Sequence, residues 1–379
     1  MRVFYLIDSL VTGGAEQSLV GMAPHLIEKG VELHVVYLLP ERKLEPALRD
    51  GGAYVYDLSM PSLPIQQFGS VRRKIADLQP DLVHTTLFRA DVIGRTVGRL
   101  ARLPVLTTLA NVPYGREQRR YAARRQSEVL SKHFFDLATA QFATRFHANS
   151  HAVAEAMGPR LLVPASRIDV VWRGRDPVLL GRRTDERHRA VRRRLGVREG
   201  ERMVLCVGRH DRQKGLDTAI ETAAVFRERR TPVRLFIAGR DGKQTSELKR
   251  LIDSHRLREQ VVLLGDRDDV PDLLAAADVF LFPSRWEGMG GSVIEAMALE
   301  VPMVLSDLVV TREVAGDTAE YAPPGDPVAF ADALERVQIV ETADRVLRAR
   351  RRFEQLFTVE GSAQGIFELY CRLLDRKRA

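Results

Sequence analysis

Val279-Phe280-Leu281-Phe282-Pro283-Ser284-Arg285-Trp286-Glu287-Gly288-Met289-Gly290-Gly291-Ser292-Val293-Ile294-Glu295-Ala296-Met297-Ala298 switches period halfway. Four apolar residues run without a break up to Pro283, as in a strand buried on both faces. A glycine-rich turn follows and opens a helix. Strand, turn and helix in that order form one half of a parallel βα unit.

The same rhythm extends in both directions. Val3–Asp8, Leu33–Leu38, Tyr54–Leu58, Asp81–Thr86, Val105–Ala110 and Phe146–Ser150 read as buried strands. Amphipathic stretches separate them, such as Ala15–Lys29, which stops before Gly30 as a left-handed cap would stop it. The alternation fails near Arg182-Arg183-Thr184-Asp185-Glu186-Arg187, after Pro177. It resumes with strands Met203–Gly208, Val233–Gly239, Val261–Leu264, Val279–Phe282 and Val301–Ser306. The reading is an α/β chain of two doubly wound Rossmann-like domains facing across a cleft. The first covers 1–175, a linker covers 176–199, and the second covers 200–352. A last helical pattern, Phe353–Leu374, lies in a terminal segment 353–379. The chain's 379 residues suit two domains better than one.

Charged residues make up 28%, and mean hydropathy is −0.17, which excludes a disordered chain. No apolar run reaches transmembrane length, and the N-terminus reads as a strand rather than a leader. Cys206 and Cys371 sit in apolar patterns, so no disulfide framework is implied and a cytoplasmic setting is expected. The net charge of +8 is uneven. Residues 101–250 hold 32 Lys and Arg against 16 Asp and Glu, a balance that fits phosphates, acidic ligands or an anionic membrane surface. A plain Arg-rich composition bias is the competing reading, since only 8 of the 58 basic residues are Lys.

In doubly wound sheets ligands bind beyond the carboxyl ends of the strands. Three loops there carry chemistry. Leu10-Val11-Thr12-Gly13-Gly14-Ala15-Glu16 joins the first strand to the first helix, and its two glycines would let a backbone approach an anion. It is not G-x-G-x-x-G, which disfavours a dinucleotide site, and an ordinary tight turn explains it equally well. Val207-Gly208-Arg209-His210-Asp211-Arg212-Gln213-Lys214-Gly215 offers Arg209 as a fork and Lys214 as a point charge for a diphosphate; the alternative is a solvated charged loop. The third loop is the opening stretch. Amides near Gly290, Gly291 and Ser292 would face an anion at the helix start. Glu287 and Glu295 suit sugar and ribose hydroxyls on either side of that diphosphate. Against this, Ser292-x-x-Glu295 has the form of a capping box, which needs no ligand, and Glu287 reads equally as a plain loop carboxylate.

The Glu287–Glu295 segment resembles the E-x7-E motif of retaining GT-B glycosyltransferases, specifically glycosyltransferase family 4 (glycosyl transferases group 1). Gly13-Gly14-Ala15-Glu16 resembles that family's first glycine loop, and Arg209 with Lys214 its R-x4-K pair. Ile168-Asp169-Val170-Val171 with Arg173-Gly174-Arg175-Asp176 is similar to its interdomain strand and turn. Asp269-Val270-Pro271-Asp272-Leu273-Leu274-Ala275-Ala276-Ala277-Asp278-Val279 is similar to the segment before its motif. The resemblance covers nearly the whole chain.

It implies transfer of a sugar from a nucleoside-diphosphate sugar to a glycan or lipid-linked acceptor, with no metal and no other cofactor. Arg209 and Lys214 would hold the diphosphate leaving group, and Glu287 would contact the transferred sugar. Gly290, Gly291 and Ser292 would offer amides, Glu295 would bind the ribose, and Gly14 would approach the diphosphate. The final helix would return to the first domain. Base contacts would fall near Gly239-Arg240 and Gly265-Asp266-Arg267. Asp266-Arg267-Asp268 has the D-x-D form of a metal signature, but that signature belongs to a different glycosyltransferase fold.

One departure stands out. In Thr107-Thr108-Leu109-Ala110-Asn111 the family's usual histidine is replaced by Ala110, leaving Asn111 as the nearest group to orient the donor sugar. His84 and His147 lie nearby in the pattern. A nucleotide-sugar 2-epimerase and a decayed sugar-nucleotide-binding protein are the rival readings. Gly115 to Lys132, with Arg116, Arg119, Arg120, Arg124, Arg125, Tyr114 and Tyr121, forms a basic stretch suited to the inner face of an anionic membrane.

Overall fold

Every strand pairing in the computed structural model is parallel, so every connection must cross over, and helices cover the sheets. The structure describes residues 1–59, 64–114, 126–337 and 342–378. It divides into two units, one of 1–176 with 357–379 and one of 177–356.

The first unit holds strands Arg2–Ile7 (β1), Glu32–Tyr37 (β2), Tyr54–Asp57 (β3), Leu82–Thr86 (β4), Val105–Leu109 (β5), Arg145–Ala148 (β6) and Ile168–Val170 (β7). Their order in the sheet is β3-β2-β1-β4-β5-β6-β7. Helices Gly14–Glu28 (α1), Glu45–Asp50 (α2), Pro64–Leu78 (α3), Phe88–Leu100 (α4), Gln126–Ala140 (α5) and His151–Arg160 (α6) connect them. Gly30, at φ +81°, provides the left-handed stop after α1.

Inside this unit Arg95 is fully buried and donates to Asp136 Oδ1 at 2.6 Å, while Tyr114 Oη donates to Asp136 Oδ2 at 2.9 Å. Asp91 lies 3.6 Å from the same guanidinium. One cation serves two carboxylates away from water, and burial pushes the Asp91 carboxyl up to about 8.

The second unit begins with Pro177–Leu180 (α7) and Asp185–Arg194 (α8). Its strands are Arg202–Val207 (β8), Val233–Ala238 (β9), Val261–Gly265 (β10), Val279–Phe282 (β11), Met303–Ser306 (β12) and Glu320–Ala322 (β13). Their order is β10-β9-β8-β11-β12-β13. Helices Leu216–Glu228 (α9), Thr245–Ser254 (α10), Val270–Ala276 (α11), Gly291–Ala298 (α12), Val309–Ala315 (α13), Pro327–Arg336 (α14) and Thr342–Leu356 (α15) complete it.

Two sequence expectations need correction. The stretch 176–199, read as a linker, contains α7 and α8. Thr184 caps α8 by accepting from Arg187 N, and Arg187 and Arg192 pair with Asp272 and Asp278 at 2.7 and 2.6 Å. This helix is anchored by ion pairs and by Val191, its one buried residue, so it has no apolar stripe to read. The terminal helical pattern, read as Phe353–Leu374, is two helices, α15 and Val359–Arg378 (α16), broken at Phe357-Thr358. At that break Arg175 N donates to Phe357 O and Val359 N donates to Arg175 O, at 2.9 and 3.0 Å. Beyond it, α16 packs Val359, Ala363, Ile366, Leu369, Tyr370 and Leu373 into the core of the first unit with Leu19, Met22, Ala23 and Leu26 of α1.

Candidate functional site

Each sheet reverses its strand order once, between β1 and β4 and between β8 and β11. The loops leaving adjacent strands at such a point diverge and leave a crevice. In the second sheet these loops run from Gly208 to Gly215 and from Pro283 to Gly290. They carry Arg209, Lys214 and Glu287.

The structure brings Lys214 and Glu287 together. Lys214 Nζ lies 2.6 Å from Glu287 Oε1 and 5.6 Å from the centre of the Phe282 ring. The Glu287 side chain is 7% exposed and that of Lys214 24%, so Glu287 is buried against its cation rather than left as a solvated loop carboxylate. Arg212–Lys214 form a 3-10 turn that ends at Gly215, at φ +60°. A Cβ on Gly215 would lie 2.0 Å from Pro283 O, so glycine is required both for the backbone angle and for the loop contact. Arg209, which is 47% exposed, turns its Nε to Asp211 Oδ2. That leaves Arg209 beside the pair but not in it.

The α12 start bears on the capping-box reading of Ser292 and Glu295. Its N-cap is Gly290, at φ +84°, with no side-chain cap hydrogen bond. Ser292 therefore lies inside the first turn, and the capping box with Glu295 does not form. The first amides of the helix lack intrahelical partners by geometry, and Gly290 N-caps them without a side chain in the way.

In the first unit, the space beside the two loop glycines is filled by the chain itself. A Cβ on Gly13 would meet Glu16 Oε2 at 2.3 Å, and one on Gly14 would meet Arg173 Nη1 at 2.7 Å. Here the glycines admit side chains. Asn111 Oδ1 accepts from Val112 N at 2.8 Å, and Ala110 O accepts from Asn149 Nδ2 at 3.0 Å.

His84 and His147 belong to a buried hydrogen-bond chain whose direction can be worked out. His147 Nε2 lies 2.9 Å from Val171 O, which can only accept, so Nε2 carries the proton. His147 Nδ1 then accepts from Thr108 Oγ1 at 3.0 Å. Thr108 Oγ1 in turn accepts from His84 Nε2 at 2.7 Å, and His84 Nδ1 accepts from Tyr370 Oη at 2.6 Å. Both rings are neutral. Burial drives His84 well below its ordinary value and lowers His147 to about 4. The chain ties α16 to β4, β5 and the end of β6, and it ends at a carbonyl, so it cannot relay a proton.

Sequence reading missed Asp211, Gln213, Asp217 and Arg285. Arg285 N donates to Gln213 O at 2.7 Å, and Gln213 Nε2 donates to Trp286 O at 3.0 Å. A backbone-to-backbone bond leaves no sequence mark. Arg285 also pairs with Asp217, at 2.7 Å, and that pairing has one faint signal, an acid in the first helical turn after the Lys214-Gly215 stop. Among the described residues no group of three or more His, Cys, Asp or Glu could hold a metal ion. Asp266 and Asp268 flank Arg267, whose guanidinium binds Asp269 at 2.6 and 2.7 Å.

Comparison with known proteins covers both units. Residues 12–179 match the model for Glycosyltransferase Family 4, and residues 188–352 match the model for Glycosyl transferases group 1. The chain is 27% identical over 315 residues to the UDP-Gal:alpha-D-GlcNAc-diphosphoundecaprenol alpha-1,3-galactosyltransferase of Escherichia coli, covering 78% of this chain and 76% of that one. It is 28% identical over 196 residues to the lipopolysaccharide core biosynthesis mannosyltransferase LpsB of Rhizobium meliloti, covering 48% and 55%. Among solved structures, Anabaena HepE in complex with UDP and glucose superimposes with a TM-score of 0.87 at 22% identity, over 98% of this chain and all of that one.

Proposed function

The chain belongs to the GT-B glycosyltransferases, with one family model on each of its units, and on that premise we propose that it is a retaining, metal-independent transferase moving a sugar from a nucleoside-diphosphate donor to a glycan or lipid-linked hydroxyl. The observation that carries this reading is the Lys214–Glu287 pair at the switch point of the second sheet, beside the glycine-started helix α12.

In this reading Lys214 and the exposed fork of Arg209 take the diphosphate and stabilise its charge as it leaves. The amides of Gly291 and Ser292 add the helix dipole. Diphosphate binding draws Lys214 from Glu287, whose carboxylate then accepts from the sugar hydroxyls. Glu295 accepts from the ribose. Retention would follow from attack on the face the diphosphate leaves. The comparisons favour neither the epimerase nor the decayed-site reading. The E. coli relative is named for a UDP-Gal donor and an alpha-D-GlcNAc-diphosphoundecaprenol acceptor, which supports UDP as the first nucleotide to test.

The test is a thermal-shift series with UDP, GDP, ADP and their sugars, because a ligand bound only by the folded state stabilises it by mass action. One diphosphate should raise the melting temperature in a saturable way. NMR of the product should then show the donor's anomeric configuration. Inverted product would overturn the mechanism, and the absence of any nucleotide shift would overturn the site.

Glu295→Gln should weaken binding of that nucleotide by about tenfold, since a hydrogen bond to a charged group contributes roughly 1.5–3 kcal/mol and the amide keeps part of it. The apo melting temperature should hold, because glutamine keeps the size and one accepting oxygen of the glutamate. A lower apo melting temperature with unchanged affinity would make Glu295 structural.

Peripheral membrane binding is part of the same proposal. The basic residues Arg116, Arg119, Arg120, Arg124 and Arg125 lie outside the described residues; α5, from Gln126 to Ala140, follows them in the sequence. It exposes Leu130, Phe134 and Phe135 at 60%, 65% and 50%, an apolar face suited to a lipid interface. No helix among the described residues is long and apolar enough to cross a membrane. The protein should sediment with anionic vesicles at low salt, and Phe134→Ser should reduce this. A chain that stays in the supernatant would contradict the reading.

A further inference from the structure

Two residues away from Glu287 and three from Lys214, a second ion pair joins the Pro283–Gly290 loop to α9, the helix that leaves the Gly208–Gly215 loop. Arg285 Nη1 and Nη2 donate to Asp217 Oδ1 and Oδ2 at 2.7 and 2.8 Å, a bidentate fork. The two side chains are 12% and 16% exposed. Arg285 Nη1 also donates to Arg212 O at 3.0 Å, which places the guanidinium against the 3-10 turn that presents Lys214. Asp217 sits in the first turn of α9, where the helix dipole favours a carboxylate.

On the roles proposed above, donor binding opens the Lys214–Glu287 pair, so that pair would not hold the loops together during turnover. The backbone bond from Arg285 to Gln213, the bond from Gln213 Nε2 to Trp286 O and the close approach of Gly215 to Pro283 O tie the loop backbones together without involving the side chain of Lys214 or Glu287. A planar fork on a buried carboxylate fixes an orientation as well as a distance, and a lysine ammonium would not. A buried pair of this kind adds little net stability over an apolar replacement, so register is the property it is suited to supply.

We infer that Arg285 and Asp217 are positioning residues that preset the separation of Lys214 from Glu287, and through them of the leaving diphosphate from the transferred sugar. The inference rests on the roles given above to Lys214 and Glu287. It extends the site to one side chain on the second loop and one in the first turn of α9, neither of which touches substrate.

The test uses the full chain with Arg285→Lys, Arg285→Met and Asp217→Asn. Its first readout needs no donor: the acylation rate of Lys214 by acetyl N-hydroxysuccinimide ester, followed by peptide mass spectrometry. Loss of the clamp should loosen the charge-assisted pair and speed Lys214 labelling by about tenfold. The second readout is nucleoside diphosphate release from UDP-, GDP- and ADP-sugars, measured with the affinity for UDP, GDP and ADP. Turnover should fall by about 10- to 100-fold, the range a misplacement of roughly 1 Å produces, with affinity within about threefold of wild type. In a Lys214→Ala background the Arg285 substitutions should add nothing further.

Wild-type labelling in both Arg285→Lys and Asp217→Asn overturns the inference. So does wild-type turnover in those variants when Lys214→Ala is inactive. Full turnover of Lys214→Ala itself instead overturns the site reading, and the labelling result still judges the clamp. If Arg285→Met does not fold, the other two variants, close to the native residues in shape, decide the matter.

Discussion

Replacing Lys214 with alanine is expected to remove about 2–4 kcal/mol of transition-state stabilisation, a fall of roughly 30- to 1,000-fold in kcat/KM, and Arg209→Ala should fall in the same range. The two variants should differ in stability. Arg209 is half exposed, and its partner Asp211 can be solvated when it goes. Glu287 is 7% exposed, so Lys214→Ala strands a buried carboxylate and should also lower the apo melting temperature. Kinetics are therefore to be normalised to folded protein. Near-wild-type turnover in both variants would remove the diphosphate assignment.

Acid should weaken the first unit through its histidines. A histidine whose folded pKa is depressed contributes stability above the unfolded value, and that contribution is lost as pH falls through it. For His147 the window runs from 6.5 down to about 4. At pH 5 the loss amounts to about 2 kcal/mol for this one group. His84 shifts the same way. Asp91 works in the opposite direction: its carboxyl is raised to about 8, so it favours the folded state as pH drops. The measurement must therefore isolate the histidine. Chemical unfolding of wild type and His147→Gln at pH 7.5 and pH 5 should show the wild type losing about 2 kcal/mol more than the variant. Equal losses would mean that His147 is already protonated in the fold, and the derived hydrogen-bond direction would be wrong.

The sequence shows the architecture of this chain because parallel strands buried on both faces leave continuous apolar runs. Val3–Ile7 and Val279–Phe282 are fully buried in the structure, and both are legible as apolar blocks. The edges are harder to read. Glu320–Ala322 is a three-residue strand at the end of its sheet and carries no periodic signal. Helix Asp185–Arg194 is hidden for the opposite reason. Its contacts are ionic, and a run of arginines looks like solvent-facing chain until Asp272 and Asp278 are placed beside it.

In the site, the positions of Lys214 and Glu287 are legible because the loops leaving β8 and β11 flank one crevice at the switch point, and both residues follow those strand ends. The direct contact between them is not, because it depends on how a 3-10 turn and Gly215 aim one side chain. Ser292 and Glu295 carry the pattern of a capping box, but the cap itself is set by backbone angles at Gly290, which spacing alone does not fix. The Gly13-Gly14 loop is legible as a close approach but not for what approaches it. Glycine marks a close approach, and the approaching groups here are Glu16 and Arg173 of the same chain.

The most direct test of the account is the release of nucleoside diphosphate from UDP-, GDP- and ADP-sugars by wild type and by Lys214→Ala, with and without a lipid-linked glycan acceptor. The account predicts that one donor class supports acceptor-stimulated release by wild type, and that Lys214→Ala loses at least about 30-fold of it. Release that is equal in the two proteins, or absent from wild type with every donor, would contradict it.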